Sequence, residues 1–219
     1  MSEATIGGEP VLRGYLTLPR RGAWIGDFAL DGEIAPTGTV DLVILGLTLR
    51  GTILRSGAPY LQPRVRMVGG NGALARSVEA KDYRSTAFGQ IVRELLQDAG
   101  ETVAEDVLVG GTDILDKWTR TTGVAALELD RLCDTRIDGT TWRVRNDGAI
   151  EVRPLVERQN DRDYILLAEW PQEKRALFGL EDESVGLDLL PGDRLPGGLV
   201  DSVVARMDPK QFRVEVYYA

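Results

Sequence analysis

The sequence predicts an α+β fold that is mainly β, with two small antiparallel β-barrel units bracketing a small helical insert with a hairpin. Three observations predict it. Residues 11–68 are a succession of short alternating or β-branched runs broken by turn residues. Apolar positions with helical spacing then appear between residues 84 and 136, and alternation returns from Thr141 to Tyr218. The expected organisation is residues 1–72 as a first barrel unit, 73–160 as the helical insert with its hairpin, and 161–219 as a second barrel unit completing the core.

In the first part, Val11 to Leu18 alternates around Gly14 and stops at Pro19. Ala23 to Leu30 carries Trp24 and Phe28 four residues apart, on one face of an extended chain, before the Asp31-Gly32 turn. Thr39 to Leu45, Leu47 to Leu54 and Pro63 to Val68 supply three more strands. Five strands at this spacing suit a small barrel or a sandwich, with interior glycines such as Gly51 where a sheet bends or bulges. Gly69-Gly70-Asn71-Gly72 ends the pattern. A helix is predicted from Arg84 to Ala99, with Phe88, Ile91, Val92, Leu95 and Leu96 as its buried stripe and Gly100 as its C-cap. A shorter one is predicted from Asp113 to Arg120 with Thr112 as N-cap, and a third from Val124 to Arg136 burying Ala125, Leu129, Leu132 and Cys133. Thr141 to Arg145 and Ala149 to Arg153 form a hairpin through Asn146-Asp147-Gly148. Glu157 to Asp163 reads as a loop. Tyr164 to Glu169, Val185 to Leu190, Leu199 to Met207 and Phe212 to Tyr218 complete the second set of strands, with turns at Pro191-Gly192-Asp193 and Leu195-Pro196-Gly197-Gly198.

Composition narrows the chemistry. Among the 219 residues there is no histidine, which removes the commonest general base and metal ligand near neutral pH. The single cysteine, Cys133, excludes an internal disulfide and a cysteine metal site, and on an apolar helix face it reads as a small core residue. A net charge of −8 argues against binding nucleic acid through phosphate contacts. No apolar window is long enough for a membrane-spanning helix, and Met1 to Pro10 lacks the basic and apolar parts of a secretory signal.

Several residue groups have the composition of a site. Glu101, Glu105, Asp106, Asp113 and Asp116 form an acidic cluster, but Val103 and Leu108 interrupt the spacing of a calcium loop, and a solvated surface is expected. Glu181-Asp182-Glu183-Ser184 and Asp161-Arg162-Asp163 read as loops. Gly69-Gly70-Asn71-Gly72 lacks the Lys-Ser/Thr of a phosphate-binding loop and reads as a turn. Arg13, Arg20, Arg21, Arg50, Arg55, Arg64 and Arg66 make the first β unit arginine-rich; on alternating strands they would line one face, which suits a protein interface better than a nucleic-acid platform. The closing Glu215-Val216-Tyr217-Tyr218-Ala219 reads as a strand tied into a sheet or an interface. No catalytic, cofactor-binding or metal-binding residue is assigned, and no cofactor is expected.

Four phrases together resemble the tail-hub (baseplate-hub) proteins of phages and contractile injection systems. They are Trp24 to Asp31 with Gly51-Thr52-Ile53 before Val68-Gly69-Gly70; Leu95 to Glu101 closing on Asp98-Ala99-Gly100-Glu101; Trp118, the helix to Cys133 and Thr141-Trp142-Arg143-Val144 with Asp147-Gly148; and Pro191-Gly192-Asp193 followed by Gly198 to Met207 and Phe212 to Tyr218. The resemblance implies a non-enzymatic homotrimer whose six barrels form a ring joining a tail tube to a central spike around the DNA channel, in a virion tail assembled in the host cytoplasm. An acidic lining suits such a channel, because it repels phosphate. It implies no membrane insertion and no specific nucleic-acid contact. The alternatives are another tail adaptor, such as a distal-tail or tube-initiator protein, and a carboxylate-dependent glycoside hydrolase, for which no Asp/Glu pair stands out.

Overall fold

The computed structural model describes residues 4–57, 62–107, 112–136, 139–154, 157–160, 164–179, 187–208 and 211–219. The chain divides into two compact units, one made of residues 1–69 and 156–219 and the other of residues 70–155. No described helix is long and apolar enough to cross a membrane.

The first unit is built on strands β1 (Ala4–Ile6), β2 (Glu9–Pro19), β3 (Ile25–Leu30), β4 (Thr39–Ile44), β5 (Leu47–Gly57) and β6 (Arg64–Gly69). They pair antiparallel in the order β1-β4-β5-β6-β3-β2, and β2 returns to β1, which closes a six-stranded barrel. Period-two alternation explains its interior. In β4 Leu42 and Ile44 are buried while Thr39, Asp41 and Val43 are exposed; in β6 Val65 and Met67 are buried while Arg64 and Arg66 are exposed. Ile6, Leu16, Leu42, Ile44 and Met67 have no exposed surface, and each side chain of this kind contributes about 1.5–3 kcal/mol on burial. Two aromatics fill space that glycines leave open. A Cβ on Gly26 or Gly14 would meet the Phe28 ring at 2.4 or 2.6 Å, and a Cβ on Gly51 or Gly69 would meet the Trp24 indole at 2.4 or 2.6 Å.

The closing segment adds β13 (Arg158–Gln159), β14 (Ile165–Trp170), β15 (Arg175–Gly179), β16 (Asp193–Leu195), β17 (Gly198–Asp208) and β18 (Gln211–Tyr218). These continue the barrel sheet. The first residues of β2 pair with β1, and its remaining length, Gly14 to Pro19, pairs with β17, from which the sheet runs on through β18 and β15 to β14. One 12-stranded sheet therefore takes strands from both ends of the sequence. Asp193, in the Pro-Gly-Asp turn, holds this segment together. Its buried carboxylate accepts hydrogen bonds from Arg158 at 2.6 and 2.7 Å, from Asn160 at 2.8 Å and from the Leu190 amide at 3.0 Å. The final strand is tied in, since the Tyr218 amide donates to Lys174 O and the Ala219 amide to Leu199 O.

The second unit contains β7 (Ser77–Val78), β8 (Lys81–Ala87), α1 (Phe88–Ala99), β9 (Ile114–Arg120), β10 (Gly123–Val124), α2 (Ala125–Cys133), β11 (Thr140–Val144) and β12 (Ile150–Pro154). The stripe of α1 is fully buried as its spacing predicts. Its end is a Schellman motif: Gly100, at φ +93°, donates to Gln97 O, and Glu101 N donates to Leu96 O. Gly148, at φ +86°, makes the hairpin turn between β11 and β12. The Trp142 indole donates to Asp130 of α2 at 2.8 Å, fixing hairpin against helix, and Cys133 is buried on α2.

Several sequence expectations need correction. Arg158–Gln159, within the stretch read as a loop, is strand β13 paired with β16. Ile114–Arg120 is strand, not helix, and its Trp118 pairs with Tyr83 of β8, ring centroids 5.7 Å apart; a seven-residue segment with so few apolar positions fits either period, and a partner strand decided it. The helix predicted from Arg84 begins at Phe88, because Lys81–Ala87 is taken up by that same pairing. Arg175–Gly179 is a strand the alternation did not reveal. Leu187–Leu190 is not strand, and Val185 and Gly186 lie outside the described residues.

Candidate functional site

Strand register brings arginines from distant parts of the sequence into one row. Arg213 on β18 stands opposite Arg206 on β17, and Arg206 opposite Tyr15 on β2. Tyr15 stands opposite Asp27 on β3, Asp27 opposite Arg66 on β6, and Arg66 opposite Arg55 on β5. Directly opposed residues share a face, and the intervening Leu16, Phe28, Val65 and Met207 are buried, so this row lies on the outside. One pleat along, Arg13, Ala29, Arg64 and Gly57 form a second row on the same face. Apart from Arg213, at the end of the first row, these residues line an open concavity of about 680 Å³ to which Arg13, Arg55, Arg64, Arg66 and Arg206 contribute five guanidinium groups, against the carboxylates of Asp27 and Asp208.

Asp27 orders the centre of the row. It accepts Arg66 side-on, at 2.8 Å from Nε and 2.9 Å from Nη2, and the Tyr15 hydroxyl at 2.6 Å. The Arg66 guanidinium holds the Asp27 carboxyl below its ordinary pKa, and the bond to Asp27 pushes the Tyr15 hydroxyl up. Beside the concavity, burial opposes ionisation of Glu215, but donors from Arg175, Arg206 and Tyr217 outweigh it and keep its carboxyl low. Arg13, Arg55 and Arg64 are exposed and have no carboxylate partner among the described residues.

Of the seven arginines singled out in the sequence, four reach this concavity. Arg50 instead lies 3.6 Å from Asp41, and Arg20 and Arg21 do not line it. The sequence reading missed Tyr15, Asp27 and Arg206. The available signal was the alternation of Val203, Ala205 and Met207, which turns Arg206 outward; its neighbours become known only with the register.

The other candidates are engaged internally. Glu101 is buried and accepts the Asn71 amide at 2.9 Å and the Ala73 amide at 2.6 Å, so the glycine turn cradles a carboxylate of its own chain, not a phosphate. Glu105 pairs with Arg93, Asp106 with Arg145 and Asp113 with Arg136, while Asp116 is exposed on β9. No group of three or more potential ligands could hold a metal among the described residues. The segments 161–163 and 181–184 lie outside the described residues.

No protein-family model matches the sequence, and no curated protein matches it. Solved structures do match. A 43 kDa tail protein of prophage MuSo2 from Shewanella oneidensis superposes with a TM-score of 0.70 at 12% identity, over 97% of this chain and 95% of that one. The E. coli c3393 protein, described as a component of the type VI secretion system with structural similarity to the T4 bacteriophage tail proteins gp27 and gp5, superposes with a TM-score of 0.66 at 16% identity, over 97% of this chain and 75% of that one. At these identities the likeness is one of fold.

Proposed function

We propose that the chain is a non-enzymatic structural subunit of a phage-type tail baseplate hub, forming a ring that joins the tail tube to the central spike and encloses the DNA channel. One observation carries the reading: a fold shared over 97% of the chain with a prophage tail protein and with a type VI secretion component that is itself similar in structure to phage tail proteins. The architecture is suited to a geometric role. A closed barrel whose sheet runs on into a second set of strands gives a rigid block, and the inserted unit is a separate compact body. Its partners on this reading are two further copies of itself, the tail tube and the spike; it resides in the virion tail and is assembled in the host cytoplasm.

Sedimentation equilibrium of the purified chain across a wide concentration range, followed by imaging of whole particles, tests the proposal. A trimer in solution, or threefold density between tube and spike, is expected. A monomer in solution together with the absence of the chain from particles overturns it, and sixfold density at the tube end replaces it with a distal-tail or tube-initiator role.

A further inference from the structure

We propose that the arginine row of the barrel sheet is a docking surface for a carboxylate-rich segment of a protein partner. The proposal does not depend on the tail-hub reading, since register and charge alone define the surface.

The row already shows what it does with a carboxylate. Arg66 grips Asp27 side-on with two parallel bonds, and Tyr15 adds a third. Arg13, Arg55 and Arg64 present the same fork on the same face without a carboxylate among the described residues. This is the opposite of what the composition makes easy. The chain has 34 acidic and 26 basic residues, so an unpartnered arginine has an excess of carboxylates to choose from. Three are nonetheless left on one face, Arg55 and Arg64 on neighbouring strands roughly 5 Å apart and Arg13 one strand beyond, across Ala29 of β3, where like charges repel. An external anion removes that cost. Arginine in place of lysine favours planar, bidentate recognition over simple charge attraction.

Carboxylates fit better than a nucleic-acid backbone. Asp27 and Asp208 line the same concavity and would oppose a continuous run of phosphates, whereas spaced side-chain carboxylates can pass on either side of them. The one aromatic group in the row, Tyr15, has its hydroxyl committed to Asp27 and offers no series of stacking platforms. The remainder of the molecule is acidic and repels a polyanion at longer range.

The test uses the full chain with a fluorescently labelled hexaglutamate peptide, a hexaserine peptide and a short DNA duplex as probes, read by anisotropy at low and at physiological ionic strength. Hexaglutamate is expected to bind in a salt-sensitive way and hexaserine not to bind. The variant Arg13→Ala/Arg55→Ala/Arg64→Ala should keep its melting temperature, because these side chains are exposed and hold no described partner, yet bind hexaglutamate roughly tenfold more weakly. Arg50→Ala, which removes an arginine outside the concavity, should leave the affinity unchanged. Absence of hexaglutamate binding, equal affinity in the triple variant, equal loss in Arg50→Ala, or preference of the same three arginines for duplex DNA would each overturn the proposal.

Discussion

Buried charges in this chain survive because each has been given specific partners, and removing a partner is the sharpest way to see it. The Arg120 side chain is only 2% exposed and donates to Asp98 at 2.6 Å and to Glu79 O at 2.8 Å. Asp98→Ala removes its carboxylate, itself about half exposed, and is expected to cost about 1.5–3 kcal/mol, whereas Arg120→Met, of similar length and no charge, should be nearly neutral; denaturant midpoints distinguish the two. Glu101→Ala strands the Asn71 and Ala73 amides inside the glycine turn, a loss of about 1–3 kcal/mol in the same assay. Acid acts on a different set. The carboxyls of Asp27, Glu128 and Glu215 all have pKa values lowered in the folded chain, the first by Arg66 and the other two by surrounding donors that overcome burial. Each is ionised in the fold at pH values where the unfolded chain has begun to take up a proton. Their stabilisation is therefore complete near neutrality and drains away as the pH falls below about 4. Thermal melts between neutral and acid pH should show the midpoint falling through that window.

At the level of elements, glycine–aromatic contacts set how tightly the barrel closes. Gly69 gives up its Cβ to the Trp24 indole, and Gly51 does the same from the neighbouring strand. Gly69→Ala should destabilise by about 1–3 kcal/mol through overpacking, although alanine is otherwise harmless in a strand; a lowered melting temperature with an unchanged far-UV spectrum is the expected result. Such contacts were only half visible in the sequence. Gly51 could be read as an interior glycine, but not which ring it accommodates. Helix α1 was legible because six buried positions repeat at helical spacing and Gly100 closes it. β9 was not, because seven residues with Leu115 and Trp118 satisfy a helical face as well as a strand, and only β8 beside it settles the matter.

For the whole molecule the consequence lies in chain order. The strands before residue 70 and those after residue 155 belong to one sheet, so the first segment alone leaves β2 without β17 along Gly14 to Pro19. A chain truncated after Gly69 should therefore aggregate or lack a cooperative transition. A chain in which residues 70–155 are replaced by a flexible linker should stay soluble and keep a cooperative transition, as measured by circular dichroism and calorimetry, since the excised part is a compact unit with its own buried stripe.

By itself the sequence determined what is local: alternating strands, the apolar stripe of α1, the Asn-Asp-Gly hairpin, and the absence of histidine that narrows the chemistry. These follow from periodicity and from single-residue conformational preferences, which act over a few neighbours. Tertiary structure decided which strands meet. Arg13, Arg66 and Arg206 are each turned outward by their own strand, but that they face the same side of one sheet depends on a register set by barrel closure and by β17 joining β2. Pairing of that kind is chosen by the burial of the whole core, a quantity that no short stretch of sequence contains.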